Sequence, residues 1–294
     1  MKKLTDSLRR VGLVANPDKA STCAVVRRAL RLVRAAGREV RADSVTTDFA
    51  RLDIATSPDI ATLSRQCDLL LVLGGDGTML RVAREAAGSR TPIFGVNLGT
   101  LGFLTTCAVN QLAGALGRVW TGQCLVESRS LIEARRIGAP EQVVELALND
   151  FVISRGAVPR LIELEVRVDG ELLTSYRGDG LIISSPTGST AYSLAAGGAV
   201  VSPQAEVFAL TPICPHTLSN RSVIVSLAST VEVNLRSQRV ETYLAADGQT
   251  RLQLKAGDVM GFQRSRHTAP LVRLPGTSFF DTLRQKMNWS GSPV

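Results

Sequence analysis

The chain has 294 residues, of which 45% are hydrophobic and 20% charged, and its net charge is +8 from 34 basic and 26 acidic side chains. This composition excludes a disordered chain, and no apolar run approaches the roughly 20 residues of a membrane-spanning helix. The length accommodates two domains. Aromatics are only 4%, so the cores must be built mainly from Leu, Val, Ile and Ala. The five cysteines, Cys23, Cys67, Cys107, Cys124 and Cys214, are odd in number and widely spread, with no Cys-x-x-Cys pair. They read as free thiols in a reducing cytosol, not as a zinc site or a disulfide framework. The charged N-terminus (MKKLTDSLRR) is followed by no apolar signal core, so a cytoplasmic protein is expected. The positive charge favours anionic partners. No zinc-finger spacing or aromatic-basic pattern points to nucleic acid, so phosphorylated small molecules are the expected partners, with no nucleic acid and no membrane.

In chain order, residues 11–15 read as a strand and 20–36 as a helix. Within the helix Val26, Leu30 and Val33 set an apolar face against Arg27, Arg28, Arg31 and Arg34, with Arg38 just beyond, and a solvated basic face is the plain reading. Residues 39–45 read as a strand. Residues 68–73 form a short, almost purely apolar run typical of a buried parallel strand. A glycine-rich turn follows, then a helix over 78–87 and a strand over 92–96. This βαβ rhythm predicts a parallel sheet with helices on its faces. After Cys124 the rhythm changes. Residues 143–154, 161–168, 180–184, 222–225, 231–235 and 251–255 read as strands, with Asp169-Gly170 and Asp247-Gly248 as turns. Residues 278–289 (SFFDTLRQKMNW) read as a helix packing back on one of the domains. The expected division is 1–123 as an α/β domain, 124–277 as a β-rich domain, and 278–294 as the C-terminal helix.

The strongest local feature is LLLVLGGDGTML, residues 69–80. A buried strand runs into Gly74, Gly75, Asp76, Gly77 and Thr78, then into a helix. Ligands of open α/β sheets bind at the carboxyl ends of strands. Glycines there let backbone N–H groups approach a phosphate, and the helix offers it an N-terminus. A carboxylate inside such a turn repels phosphate unless it binds Mg²⁺ or takes a proton from a hydroxyl. The plain alternative is a tight turn with Asp76 as a helix cap. The motif is neither a P-loop nor the G-x-G-x-x-G fingerprint. A second candidate is DGLIISSPTGSTAYSLAAGG, residues 179–198, where Ser185, Thr187, Ser189, Thr190 and Tyr192 offer donors to ribose or phosphate oxygens. Gly188, Ala191, Gly197 and Gly198 leave room for a flat base, or the whole is an elaborate loop.

GGDGT resembles the turn shared by NAD kinases, diacylglycerol and sphingosine kinases and phosphofructokinases, which implies phosphoryl transfer from a nucleotide without naming the acceptor. Residues 179–198 are similar to the long signature of NAD kinases. LNDFVISR (148–155), TPICPHTLSNRSVIV (211–225) and Asp247-Gly248-Gln249 resemble further motifs of that family, in the same order and over nearly the whole chain. The resemblance implies an NAD kinase-like fold: an α/β N-terminal domain plus a mostly-β, β-sandwich-like C-terminal domain, with the active site in the cleft between them. It implies ATP and NAD as substrates, with polyphosphate as donor and NADH as acceptor left open, Mg²⁺ with the nucleotide phosphates, no protein-held metal site, and a homodimer or homotetramer. Carried over by position, Asp76 is the base near the acceptor 2′-hydroxyl, Gly77 lines that site and Phe103 lies against the adenine. Asn149 and Asp150 hold a ribose; many family members carry Glu where this chain has Asp150, one methylene shorter. Thr190, Ala191 and Tyr192 contact the dinucleotide, Asp179 its nicotinamide side, and Arg177 sits beside the acceptor. The N–H groups of Gly74 to Thr78 are expected to meet the donor's phosphates. His216 is given no catalytic role. The competing readings are a lipid or sugar kinase sharing the turn, and a non-enzymatic dinucleotide sensor.

Overall fold

A computed structural model of the chain describes residues 8–17, 22–99, 102–138, 144–217 and 221–289. The expected helix start at Ala20, the strand start at Val143 and residues 218–220 of the 211–225 motif lie outside them. The chain divides into two units, one of residues 1–128 and 268–294, the other of residues 129–267.

The first unit carries β1 (Arg10–Ala15), α1 (Thr22–Ala35), β2 (Glu39–Asp43), α2 (Ser44–Ala50), β3 (Ala55–Ser57), α3 (Ile60–Gln66), β4 (Leu69–Gly74), α4 (Asp76–Glu85), β5 (Ile93–Asn97), β6 (Cys107–Ala108) and α5 (Leu112–Trp120). The strands pair in parallel in the order β3-β2-β1-β4-β5, with β6 parallel to the end of β5. All six residues of β4 are buried, as the apolar run requires of a strand covered on both faces. From β1 the chain moves one way to β2 and β3, then returns to β4 on the other side of β1. The ends of β1 and β4 therefore flank a topological switch point, the place where open α/β sheets bind ligands. There the Asn16 N–H donates to the Leu73 carbonyl at 3.1 Å.

Helix α1 buries Val26, Ala29 and Val33 at helical spacing. Its arginines are largely committed within the unit. Arg27 donates to the Ala50 carbonyl, Arg28 to that of Val109 and Arg34 to that of Asp53, and Arg38 lies 4.1 Å over the Trp120 ring. Two expectations shift here. The strand expected over 39–45 ends at Asp43, because Ser44 opens α2. The helix expected from Thr78 begins at Asp76, so Asp76, Gly77 and Thr78 form its first turn.

The second unit is built from β7 (Leu125–Ile137), β8 (Val144–Ala147), β9 (Asp150–Arg155), β10 (Ile162–Val168), β11 (Glu171–Gly178), β12 (Gly180–Ser184), the short helix α6 (Tyr192–Ala195), β13 (Val207–Ile213), β14 (Val223–Ser226), β15 (Val231–Leu235), β16 (Thr242–Ala246), β17 (Thr250–Leu254) and β18 (Val259–Arg273). One antiparallel sheet runs β14-β13-β12-β9-β16-β17. A second runs β11-β10-β15-β18, with β7 beside β18 and β8 beside β7. Both contribute alternate residues to one apolar core, which includes Phe151, Leu181 and Phe208 from the first sheet and Leu164, Val233 and Phe262 from the second. Phe151 and Phe262 meet across it at 5.4 Å between ring centroids. That is a β-sandwich.

The strand expected over 143–154 is two strands, β8 and β9, broken at Leu148 and Asn149 because their N–H groups turn to a carboxylate, described below. The unit limits also fall inside strands, at Ser128/Arg129 and His267/Thr268, and not at 123/124 and 277/278. Strands β7 and β18 each begin in one unit and end in the other, which a change of composition at Cys124 does not reveal. At the C-terminus α7 (Phe279–Met287) belongs to the first unit, where Phe279 packs on Phe103.

Candidate functional site

In the first unit β4 delivers the chain to Gly75, the N-cap of α4. The Gly75 carbonyl accepts from the N–H groups of Thr78 and Met79, both at 3.1 Å, and closes the first helical turn. The glycines of this turn have different reasons to be there. At Gly74 a Cβ would collide with the Thr78 side chain, so packing demands glycine. At Gly75 and Gly77 a Cβ would meet nothing within 4 Å, and neither residue has a positive φ. Neither packing nor backbone conformation therefore requires these two glycines. What they leave is open space over the N-terminus of a ten-residue helix, where backbone N–H groups and the helix dipole favour an anion.

Asp76 is not a cap. Its carboxylate reaches a neighbouring loop, where Oδ2 accepts the Phe103 N–H at 2.9 Å and Oδ1 the Leu104 N–H at 3.1 Å. Gly102 makes this seat possible, because a side chain there would run into the Asp76 carboxylate. The carbonyl of Phe103 accepts from Arg273 at 2.7 Å. Asn97 braces the loop from the end of β5 through Thr105, at 3.2 Å. The structure thus brings Asp76 and Phe103 together, and adds Gly102 and Arg273, which the sequence reading did not single out.

In the second unit the site residues gather around the break between β8 and β9. The Asp247 carboxylate accepts three backbone N–H groups, from Leu148 at 3.0 Å, Asn149 at 2.8 Å and Asp150 at 3.2 Å. Asp247 and Gly248 both have positive φ, 48° and 67°, so the dipeptide is the turn its sequence predicts. The turn's further purpose, holding Asn149 and Asp150 in place, needs the fold to be seen. The Asn149 carbonyl accepts the Ser185 N–H at 2.8 Å, and Gly188 packs so closely on the Asn149 backbone that no side chain fits there.

Asp150 is 4% exposed. Burial first, and then the charge of Asp247, push its carboxyl up to about 7. The folded chain therefore holds this proton at pH values where the unfolded chain, with an aspartate near about 3.9, has released it. The stability linked to this proton is fully present below the unfolded value and is lost as pH rises through about 7. Thermal melts between pH 5 and 8.5 should show the wild type losing stability relative to Asp150→Asn across that window. Parallel curves would mean that Asp150 is not the titrating group.

The hydroxyl-rich loop is more structural than its sequence suggests. Ser185 and Ser189 are fully buried, and their hydroxyls donate to the carbonyls of Leu148 at 2.5 Å and Pro186 at 2.8 Å. Both were expected to face a ligand and do not, because Ser189 satisfies a carbonyl of its own loop, while Ser185 ties the loop to the β8–β9 break and accepts the Gly188 N–H. Thr187 is 7% exposed, and its hydroxyl accepts from Arg129 at 3.3 Å. Thr190 and Ala191 are half-buried, and Tyr192 is 47% exposed. Asp179 is paired with Arg155, Nε to Oδ1 at 2.5 Å, a partner that the sequence reading missed at the end of its own 148–155 motif. Arg177 is exposed, and its carbonyl accepts the His216 N–H at 2.9 Å. Among the described residues no group of three or more His, Cys, Asp or Glu side chains is arranged to hold a metal ion.

Comparison with known proteins matches residues 11–124 to the ATP-NAD kinase N-terminal domain and residues 148–274 to the ATP-NAD kinase C-terminal domain. A NAD kinase of Syntrophotalea carbinolica is 38% identical over 284 residues, covering 96% of this chain and 99% of that protein. A NAD kinase of Moorella thermoacetica is 41% identical over 287 residues, covering 97% and 91%. Among solved structures, yeast NADH kinase complexed with NADH superposes with a TM-score of 0.88 at 26% identity, over 97% of this chain and 89% of the other. An NAD kinase from Archaeoglobus fulgidus in complex with ATP superposes with a TM-score of 0.76 at 26% identity, over 96% and 100%.

Proposed function

Because the chain belongs to the NAD kinase family, and NAD kinase is the activity it carries, we propose that Asp76 is the general base that takes the proton of the adenosine ribose 2′-hydroxyl. The oxygen–phosphorus bond to the ATP γ-phosphate forms as that proton leaves, the bond to the β-phosphate's bridging oxygen breaks, and the products are NADP and ADP. The observation that carries this reading is the first turn of α4, where two glycines with no internal reason to be glycine stand either side of a carboxylate. Each Asp76 oxygen accepts one backbone N–H and keeps a further lone pair for the substrate hydroxyl. The amides thus aim the base before the substrate arrives, and such aim is a large part of phosphoryl-transfer catalysis.

The N–H groups from Gly74 to Thr78 receive the donor's phosphates. Asn149 and Asp150 hold a ribose, Phe103 lies on the adenine, and Thr187, Thr190, Ala191 and Tyr192 contact the dinucleotide. Asp179 faces its nicotinamide side and Arg177 stands beside the acceptor. Mg²⁺ would enter as a companion of ATP, since the ion is commonly held by substrate phosphates with one or two carboxylates. When bound it offsets the charge of the phosphate oxygens. A cytoplasmic homodimer or homotetramer belongs to the same reading, in keeping with the family resemblance and with five free cysteines.

The test is NADP formation, read with an NADP-specific dehydrogenase, from NAD with Mg²⁺ and either ATP or polyphosphate. NADP from the ATP reaction supports the assignment, and NADP from polyphosphate alone would overturn ATP as donor. Tyr192→Ala offers a clean check of the pocket, because a ring 47% exposed contributes little to the core. It should raise the KM for NAD about tenfold with kcat within about twofold. An unchanged KM would remove Tyr192 from the dinucleotide site.

A further inference from the structure

We infer that Phe279, the first residue of the C-terminal helix, is a positioning residue that holds Phe103 in the orientation in which it receives the adenine. The inference rests on the reading of Phe103 as the adenine's platform and asks what keeps that platform in place.

The segment from Gly102 to Leu104 lies between β5 and β6 and belongs to no helix or strand. Its backbone is nevertheless pinned on both sides. The N–H groups of Phe103 and Leu104 sit on Asp76, and the Phe103 carbonyl sits on Arg273, which is itself paired with Glu127 at 3.4 Å. These bonds fix the main chain and leave the Phe103 ring to be oriented by something else.

Phe279 is the neighbouring ring. The two centroids are 5.9 Å apart, within the contact range of aromatic pairs, and the planes are inclined at 42°. Phe279 is in turn well held. Ser278 caps α7, accepting the Asp281 N–H at 3.0 Å and donating to the Asp281 carboxylate at 2.6 Å. One turn further on, Leu283 is 4% exposed and anchors the helix. The adjacent Phe280, 58% exposed, packs edge-on against Phe279 at 5.4 Å between centroids, so the half-buried Phe279 lies between it and Phe103. A half-buried ring supported by a second ring gives up less freedom when a base stacks on it, and that saving appears as affinity.

Steady-state kinetics with NAD and ATP varied separately test the inference on Phe279→Ala, Phe103→Ala and the double variant. Phe279→Ala should raise the KM for NAD about five- to tenfold, with kcat and the KM for ATP within about twofold, and Phe279→Tyr should restore it. In the Phe103→Ala background, removal of the second ring should add nothing further to the KM for NAD, since the pair then acts as one unit. If Phe279→Ala fails to fold, Phe279→Leu keeps the packing and removes the ring, and it should shift the KM for NAD in the same direction. An unchanged KM for NAD in the Phe279 variants, with a raised one in Phe103→Ala, would overturn the inference and leave the adenine reading intact. No change in either would overturn both. A general fall in kcat with both KM values unmoved would reduce Phe279 to a structural residue and also overturn it.

Discussion

Asp76→Asn is expected to lower kcat by about 10²- to 10⁴-fold, the usual worth of a general base, while the KM for NAD changes by only a few-fold. The amide is nearly the same size but cannot take the proton. It also offers one acceptor where the carboxylate offers two, so it can satisfy only one of the Phe103 and Leu104 N–H groups that Asp76 now receives. Part of the loss therefore comes from a loosened seat, and Gly102→Ala separates the two effects. A methyl group at residue 102 collides with the Asp76 carboxylate and disturbs the seat without removing the base. It should lower kcat because the aim of the base is spoiled, but by less than Asp76→Asn, and it should raise the KM for NAD through the shifted Phe103 loop. If Asp76→Asn retained kcat within about tenfold, the base assignment would fall. If Gly102→Ala lost as much kcat as Asp76→Asn, the carboxylate would be acting through the loop it holds and not through proton transfer.

The largest stability effect is expected at Asp247. Its carboxylate takes three backbone N–H groups at the break between β8 and β9. Asp247→Ala leaves them without that acceptor, and a buried donor left unpaired costs about 1–3 kcal/mol. Entry of water would recover part of this, so a loss on the order of 4 kcal/mol is expected, or about 10 °C in Tm for a chain of this size. The same variant should raise the KM for NAD, because Asn149 and Asp150 lose the group that fixes their backbone. Asp247→Asn keeps one acceptor and should fall between. It should also flatten the pH dependence assigned to Asp150, whose proton is held partly by the charge of Asp247. A melt of Asp247→Ala within about 2 °C of the wild type would mean that the three N–H bonds contribute little.

Parts of the candidate site were legible before the fold, for reasons that differ from residue to residue. The turn at residues 74–78 announces itself because a fully apolar strand is followed by three glycines around one acid, a pattern governed by local geometry. Asp247-Gly248 was legible as a turn because the dipeptide tolerates positive φ. Its service to Asn149 and Asp150, nearly a hundred residues earlier in the chain, left no local mark. The hydroxyls of residues 185–192 misled in the opposite sense. Serine at a ligand and serine satisfying its own loop look alike in a sequence, and only burial separates Ser185 and Ser189 from Tyr192. The paired Arg155 and Asp179 were both in view, within motifs read separately, and their ion pair depends on β9 and β12 lying side by side.

The sequence by itself determined the alternation of strands and helices in the first unit, the β-rich character of the second, and the family, because periodicity and motif chemistry are properties of neighbours along the chain. Tertiary structure alone decided that the glycine turn lies at a switch point between β1 and β4, that Asp76 is seated on the amides of residues 103 and 104, that Asp247 holds the 148–150 turn, and that the C-terminal helix returns to place Phe279 on Phe103. Each of these joins residues far apart in sequence. The favourable energy of such a contact arises only when the whole chain has closed the intervening loops, and no short window of residues records it.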